Sequence, residues 1–237
     1  MDIAAKMCQV AANNGDIPSQ NNLAMLYFMG AGVKRDTQEA VKWLLKAAEK
    51  GFSSSQFVLG ALYAGGKLYE GANPVLELDC VKGIHWLKLA AQEYFHAALL
   101  GLGMLYHNGE CVEQDYSVAY DYFMQAALPL PLDKKRSDNT TTGYDKTGDP
   151  GAQNMLGLMY AMGRGLGINY KQAFYWFSKA AEYGEVVPQA LRNLAEFYAE
   201  GLVVDKDLKK AEELRAKADE IYRKRAAEPY TVTPFNR

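Results

Sequence analysis

The sequence predicts an all-α solenoid of about five helix–turn–helix repeats, opened by a half repeat and closed by a longer C-terminal capping helix. Three observations predict it. A tyrosine ends an apolar segment five times, at Tyr27, Tyr63, Tyr106, Tyr160 and Tyr198, with separations of 36, 43, 54 and 38 residues. A large residue follows each tyrosine, at Trp43, Trp86, Tyr122, Trp176 and Leu214. Its distance is 16 residues in four copies and 23 in the second. The units therefore keep a constant length while the connections vary. A repeat of this period is a unit that buries its apolar face only against its neighbours.

Taken in chain order, Ala4, Met7, Ala11 and Gly15 match the pattern of a second helix with no first helix before it, so residues 1–15 form a half repeat. That helix is either a natural cap or the remainder of a repeat whose upstream part, such as a targeting segment, has been removed. The second alternative is the expectation. Repeats follow at about 18–51, 54–94, 97–128, 151–184 and 188–220. In the second helices, small and large residues alternate at offsets 0, 3, 7 and 11, as in Ala40, Trp43, Ala47, Gly51 and Ala173, Trp176, Ala180, Gly184. These spacings put all four positions on one helical face. The small residues let helices approach, and the aromatic ring fills the gap. Gly60, Gly103 and Gly157 are expected to allow the same close approach on the first helices. The pairs Gly30/Gly32 and Gly163/Gly165 stand where a left-handed residue ends a helix. Asp36 and Asp115 are N-cap candidates for the helices that follow.

Two segments interrupt the register. One, around Tyr69 to Glu77, lies inside the second repeat. The other, residues 129–149, carries prolines, Lys134, Lys135, Arg136 and the Thr140–Thr142 run, a composition that precludes helix over much of its length. A long loop in a compact array is usually functional or disordered; this one is the second candidate for partner binding, and a disordered spacer is the expectation. The last long helix, Asp205 to Glu228, is apolar at Leu208, Ala211, Leu214, Ala218 and Ile221 and charged elsewhere, as the soluble end of a solenoid must be. Residues 229–237 read as an extended tail.

These residues resemble the Sel-one-like repeat (SLR) family, close kin of tetratricopeptide repeats. Ala152, Leu156, Gly157, Tyr160, Gly163, Gly165, Ala173, Trp176, Lys179, Ala180, Ala181 and Gly184 follow its pattern almost fully. Ser19 and Ser55 at the leading small position, and Leu214 in place of tryptophan, depart from it. The resemblance implies a right-handed superhelix of helical hairpins acting as an adaptor or scaffold. It does not choose among signalling, envelope assembly, host interaction and immunity against secreted toxins.

The chemistry of the chain excludes several other classes. A formal charge of −2 offers no strongly basic face, so nucleic acid is not an expected partner. No apolar run approaches the roughly 18 residues of a membrane span. There is no GxSxG, Walker A or HExxH motif, and the glycines of Met162 to Gly167 are explained by the repeat. His96 and His107 stand eleven residues apart, about 16 Å along a straight helix, too far to share a metal. No catalytic, cofactor-binding or metal-binding residue is expected, and the chain reads as a non-enzyme. Cys8, Cys80 and Cys111 are an odd set without CxxC and are expected to be free, partly buried thiols. Cytoplasm stays open as a location, and periplasm with it if a leader was removed.

Carrying over tetratricopeptide geometry, the first helices line a concave face that receives a peptide, helix or toxin domain of a protein partner. The first repeat presents Asn21, Met25, Phe28 and Met29, and the second presents Phe57. The third presents Leu100, Met104 and His107. The fourth presents Asn154, Leu158 and Met162, and the fifth Arg192 and Glu196. A methionine-bearing apolar groove adapts to irregular partner surfaces. The competing reading, that these side chains pack against neighbouring helices, stays open. So does the choice between a binding module, narrowed to an immunity protein, and a scaffold for several components. The placement of Trp176 is testable by itself: Trp176→Ala is expected to cost about 3–5 kcal/mol in chemical denaturation, whereas a loss below about 1 kcal/mol would contradict its position between stacked helices.

Overall fold

The computed structural model describes residues 2–65, 76–139 and 141–227. All regular structure among them is helical: α1 (Ile3–Asn13), α2 (Ile17–Met29), α3 (Thr37–Ala48), α4 (Ser53–Tyr63), α5 (Cys80–Gln92), α6 (His96–Asn108), α7 (Tyr116–Ala127), α8 (Pro150–Met162), α9 (Tyr170–Ala181), α10 (Pro188–Glu200) and α11 (Leu208–Ala227). The chain adopts an all-α helical repeat fold. Its hairpins are α2–α3, α4–α5 and α6–α7 in one compact unit (residues 1–147), and α8–α9 and α10–α11 in another (148–237). The segment that interrupts the second repeat and the C-terminal tail fall largely or wholly outside the described residues.

Local chemistry sets the helix ends. Asp36 accepts hydrogen bonds from the backbone N–H groups of Gln38 and Glu39, and Asp115 from those of Ser117 and Val118, at 2.9–3.1 Å. Asp2, Asp16, Asp79, Asp149, Asn169 and Asp207 do the same for α1, α2, α5, α8, α9 and α11. Each satisfies a backbone donor that the first helical turn leaves unpaired. Because Asp149 caps α8, it belongs to the repeat and not to the insertion. Gly30 and Gly163 end α2 and α8 at φ near +70°.

Close approach within each hairpin comes from one small residue. A Cβ added at Gly60 would lie 2.6 Å from the Leu87 side chain. At Gly103 and Gly157 it would lie 2.5 Å from the rings of Phe123 and Phe177. Ala24 and Ala195, both fully buried, hold the corresponding positions of α2 and α10. The glycines at the ends of the second helices divide by role. Gly184 lets Leu191 approach, whereas Gly51 faces open space and is required for its φ of +86°.

In the first unit, Leu23, Ala24, Phe28, Ala40, Trp43, Leu44, Ala48, Leu59 and Leu62 form one continuous core, onto which Trp86 of α5 packs back. In the second, Ala173, Phe177, Leu194 and Phe197 form the core, with Leu214 against it in the place a tryptophan holds elsewhere. Trp176 is 6% exposed. On α11, Ala211 and Ala218 are buried, while Leu208 is 62% exposed at the helix start and lies outside the apolar stripe assigned to it.

Two expectations are overturned. Cys80 and Cys111 are not free thiols but form a disulfide, with Cα atoms 5.1 Å apart. Cys80 opens α5, and Cys111 sits at φ +61° in the turn after α6. The repeat brings this helix start beside that turn, a proximity that spacing alone did not reveal. Cys8 is the free cysteine, its thiol donating to the Ser19 carbonyl. Nor is the insertion a disordered spacer: its described residues are folded onto the first unit by named contacts. Closing a loop of 31 residues restricts the unfolded chain. Cys80→Ala/Cys111→Ala, or reduction, is therefore expected to lower stability by about 3 kcal/mol in urea denaturation. An unchanged midpoint would refute a stabilising bond.

Candidate functional site

The first helices carry the side chains that the sequence assigns to a candidate binding face, and each unit is described by itself. In the first unit, Met25 and Met29 of α2, Phe57 of α4, and Leu100 and Met104 of α6 are half-buried. Met25 and Phe57 rest on the core beneath them. The Phe57 ring also lies 5.7 Å from that of Phe95. Asn21 Oδ1 accepts from the Ser55 hydroxyl at 2.9 Å, tying α2 to α4. Phe28 and His107 are buried. His107 stands edge-on to Tyr116, with its ring 6.2 Å from that of Phe123. These two residues belong to the interior and offer little exposed surface, unlike the groove positions expected of them.

In the second unit Leu158 of α8 is half-buried and Met162 is exposed. Asn154 is buried and accepts from Asn193 Nδ2 at 2.9 Å, joining α8 to α10. Arg192 pairs with Asp219 at 2.6 Å and lies over the Tyr222 ring, while Glu196 pairs with Arg215 at 2.9 Å. Both charged residues thus reach toward α11. At about half exposure, such pairs contribute little stability.

The insertion, the second candidate for partner binding by sequence, is held in place by a buried ion pair. Arg136, its side chain fully buried, donates from Nη1 and Nη2 to the two carboxylate oxygens of Asp145 at 3.0 and 2.7 Å, and from Nη2 to the Tyr94 carbonyl at 2.9 Å. Thr142 donates its hydroxyl to Asp145 at 2.6 Å. His96 Nε2 donates to the Leu128 carbonyl at 3.2 Å. Burial pushes the Asp145 carboxyl up, but the hydrogen bonds from Arg136 and Thr142 and the guanidinium charge outweigh it and hold the group well below the usual carboxylate range. Farther along, Asp138 accepts from the Ser53 N–H at 2.6 Å, and Glu93 from the Ser137 N–H at 2.7 Å. Phe52, the residue before α4, has no capping side chain, so the insertion caps that helix from 85 residues away. So fastened, the loop holds Leu132, Lys134 and Lys135 out in solvent.

No group of three or more metal-ligating residues stands together among the described residues. On the second-helix side, an open cleft of about 520 Å³ is lined by Lys88, Gln92, Leu99, Asp121, Tyr122 and Gln125. It brings no nucleophile against a base. No described helix is long and apolar enough to cross a membrane. Among the described residues, those lining the cleft present no paired acid and base around a reacting atom.

Removing Arg136 would leave Asp145 without its counter-charge. Arg136→Ala is expected to destabilise the first unit by about 3 kcal/mol and to open Lys134 and Lys135 to trypsin. Unchanged cleavage would refute the anchor. Since the folded carboxyl titrates below its unfolded value, its contribution is complete above about pH 4. Stability from this group should stay level from pH 7 to 5 and fall only below about pH 4. Replacing Asp145 by Asn should remove that acid-side loss in a pH series of melts.

Comparison with known proteins follows the same five hairpins. The family model described as the Sel1 repeat matches residues 17–52, 53–94, 96–128, 150–184 and 188–218, so the chain belongs to the Sel1 repeat family. A Sel1 repeat protein from Oxalobacter formigenes is 29% identical, with a TM-score of 0.72 over 95% of this chain and 79% of that one. A protective antigen of uropathogenic Escherichia coli, displaying an SLR fold, is 28% identical with a TM-score of 0.71 over 90% of this chain. The chain spans 40% of that protein's length. An immunity protein from Pseudomonas aeruginosa shares the fold at 20% identity and a TM-score of 0.53, over 98% of this chain and 79% of that one.

Proposed function

We propose that this Sel1 repeat protein is a non-catalytic binding module that holds a partner protein on the faces of its first helices and on the projecting insertion. The observation that carries the reading is that Met25, Met29, Phe57, Leu100 and Met104, on three successive first helices, are apolar and keep part of their surface in solvent, with Met25 and Phe57 resting on the core. Flexible thioethers repack against irregular apolar surfaces at low cost. A peptide or amphipathic helix is the occupant this chemistry suits. Leu132, Lys134 and Lys135 would add an apolar contact and two positive charges at the rim, a composition favouring a partner with acidic residues there.

A narrower form of the same reading is an immunity protein that occludes one toxin. The alternative is a scaffold that organises several signalling or envelope components. The fold accommodates either. The experiment is affinity capture from the native host with the full chain and with Met29→Gln/Leu100→Gln/Met104→Gln, each bound fraction identified by mass spectrometry. One protein captured by the parent and lost by the variant, with both melting at the same temperature, supports the binding face. A partner kept by the variant refutes it. Several co-purifying components of one assembly favour the scaffold.

A further inference from the structure

The open cleft between α5 and α7 falls where the second helices depart from the interface one repeat earlier. Trp43, Trp86 and Tyr122 are equivalent positions of α3, α5 and α7. Between α3 and α5, Trp86 and Leu45 pack on the core of the preceding hairpins, and Leu89 is half-buried. At the same three places between α5 and α7 stand Tyr122, Lys88 and Gln125, all lining the cleft. A smaller ring and two polar chains replace three apolar ones, and about 520 Å³ stays open.

A further departure lies on the cleft wall. In the first two hairpins the fourth residue of the first helix is a buried glutamine that reaches back to the end of the preceding helix. Gln20 Nε2 donates to the Ala12 carbonyl and Gln56 Nε2 to the Ala48 carbonyl, both at 3.1 Å and eight residues apart. Each carbonyl also accepts from the backbone N–H of the turn glycine, Gly15 or Gly51. The third hairpin has Leu99 at that position, 1% exposed. The equivalent carbonyl, that of Ala91, keeps its backbone donor, the Tyr94 N–H at 2.9 Å. Leucine has nothing to donate, so the second lone pair lacks the partner its counterparts have. Ala91 and Leu99 both line the cleft. The carbonyl belongs to the last turn of α5, where the helix carries partial negative charge. Asp121, exposed on α7, adds a full negative charge to the same cleft.

We propose that this cleft is a binding site for a guanidinium group, received by the Ala91 carbonyl and the Asp121 carboxylate. A guanidinium presents several N–H donors in one plane and stays charged, so it serves a neutral acceptor and an anion together. Gln125 spends its own N–H on the Asp121 carbonyl, which leaves its side-chain oxygen as a further acceptor. Leu99 and Val118 supply apolar surface for the aliphatic stem. Lys88 also lines the cleft and repels a cation, but it is exposed, and its flexible stem carries the ammonium into water. The site is separate from the first-helix face proposed above.

The probe is N-acetyl-arginine methylamide, titrated into the 15N-labelled full chain, with the side-chain amide signals of Gln92 and Gln125 followed by NMR. Saturable shifts are expected, and none with the citrulline analogue, which keeps the shape and loses the charge. Asp121→Asn should weaken binding about tenfold or more. Leu99→Gln, which restores the glutamine of the earlier hairpins, should abolish it. Tyr122→Trp, which returns the tryptophan of the neighbouring repeat to the gap, should also abolish it, whatever Leu99→Gln does to folding. No saturable shift, equal binding of the citrulline analogue, or binding unchanged in Asp121→Asn and Tyr122→Trp would overturn the proposal. Free arginine is the second probe. Tighter binding than the blocked form, lost in Lys88→Met, upholds the site and assigns it to a free amino acid. Equal binding upholds it and assigns it to an arginine of a partner protein.

Discussion

Everything in this molecule depends on one short distance, that between the two helices of a hairpin. Gly60, Gly103 and Gly157 leave no room for a methyl group, and the side chains of Leu87, Phe123 and Phe177 fill the space against them. A large residue sitting directly on a backbone fixes both the spacing and the rotation of its helix. The rest of the pattern follows from that contact. Alanines can line the second helices because the helices are close, and in the first unit Trp86 is directed back onto the preceding hairpin's core. Where glycine is replaced by alanine, as at Ala24 and Ala195, the position remains buried. The constraint is one of size and is met in several ways.

Two elements outside the repeat fasten the first unit. The disulfide joins the start of α5 to the turn after α6. The insertion returns to the same unit and gives α4 the cap that Phe52 cannot supply. Both act at hairpin ends, where a helix leaves backbone groups unpaired and the solenoid pattern offers no specific residue.

Much of the fold was legible because repetition averages over local ambiguity. Trp176, the N-caps Asp36 and Asp115 and the terminating glycines Gly30 and Gly163 each occupy the place their spacing implies. The candidate face was less legible. Met25, Met29, Leu100 and Met104 keep part of their surface in solvent, yet Phe28, one position from Met29, is buried. At 100° per residue, a one-residue difference in register moves a side chain from rim to core. Asn21 and Asn154 read as groove polar groups, but they also bond to Ser55 and Asn193 on the next first helix. Arg192 and Glu196 read as groove charges, while their partners Asp219 and Arg215 lie on a helix whose proximity a linear pattern does not encode.

By itself the sequence determined the all-α repeat fold, the five hairpins and the absence of any familiar catalytic motif, because these rest on periodicity and residue size, which are local and recur in phase. Only the tertiary structure decided that Cys80 meets Cys111, that Arg136 is buried against Asp145, and that Asp138 caps α4. Those pairings join residues 31, 9 and 85 positions apart across connections that do not repeat. Their geometry comes from where the packed hairpins place each chain end, and no spacing rule within one helix carries that information.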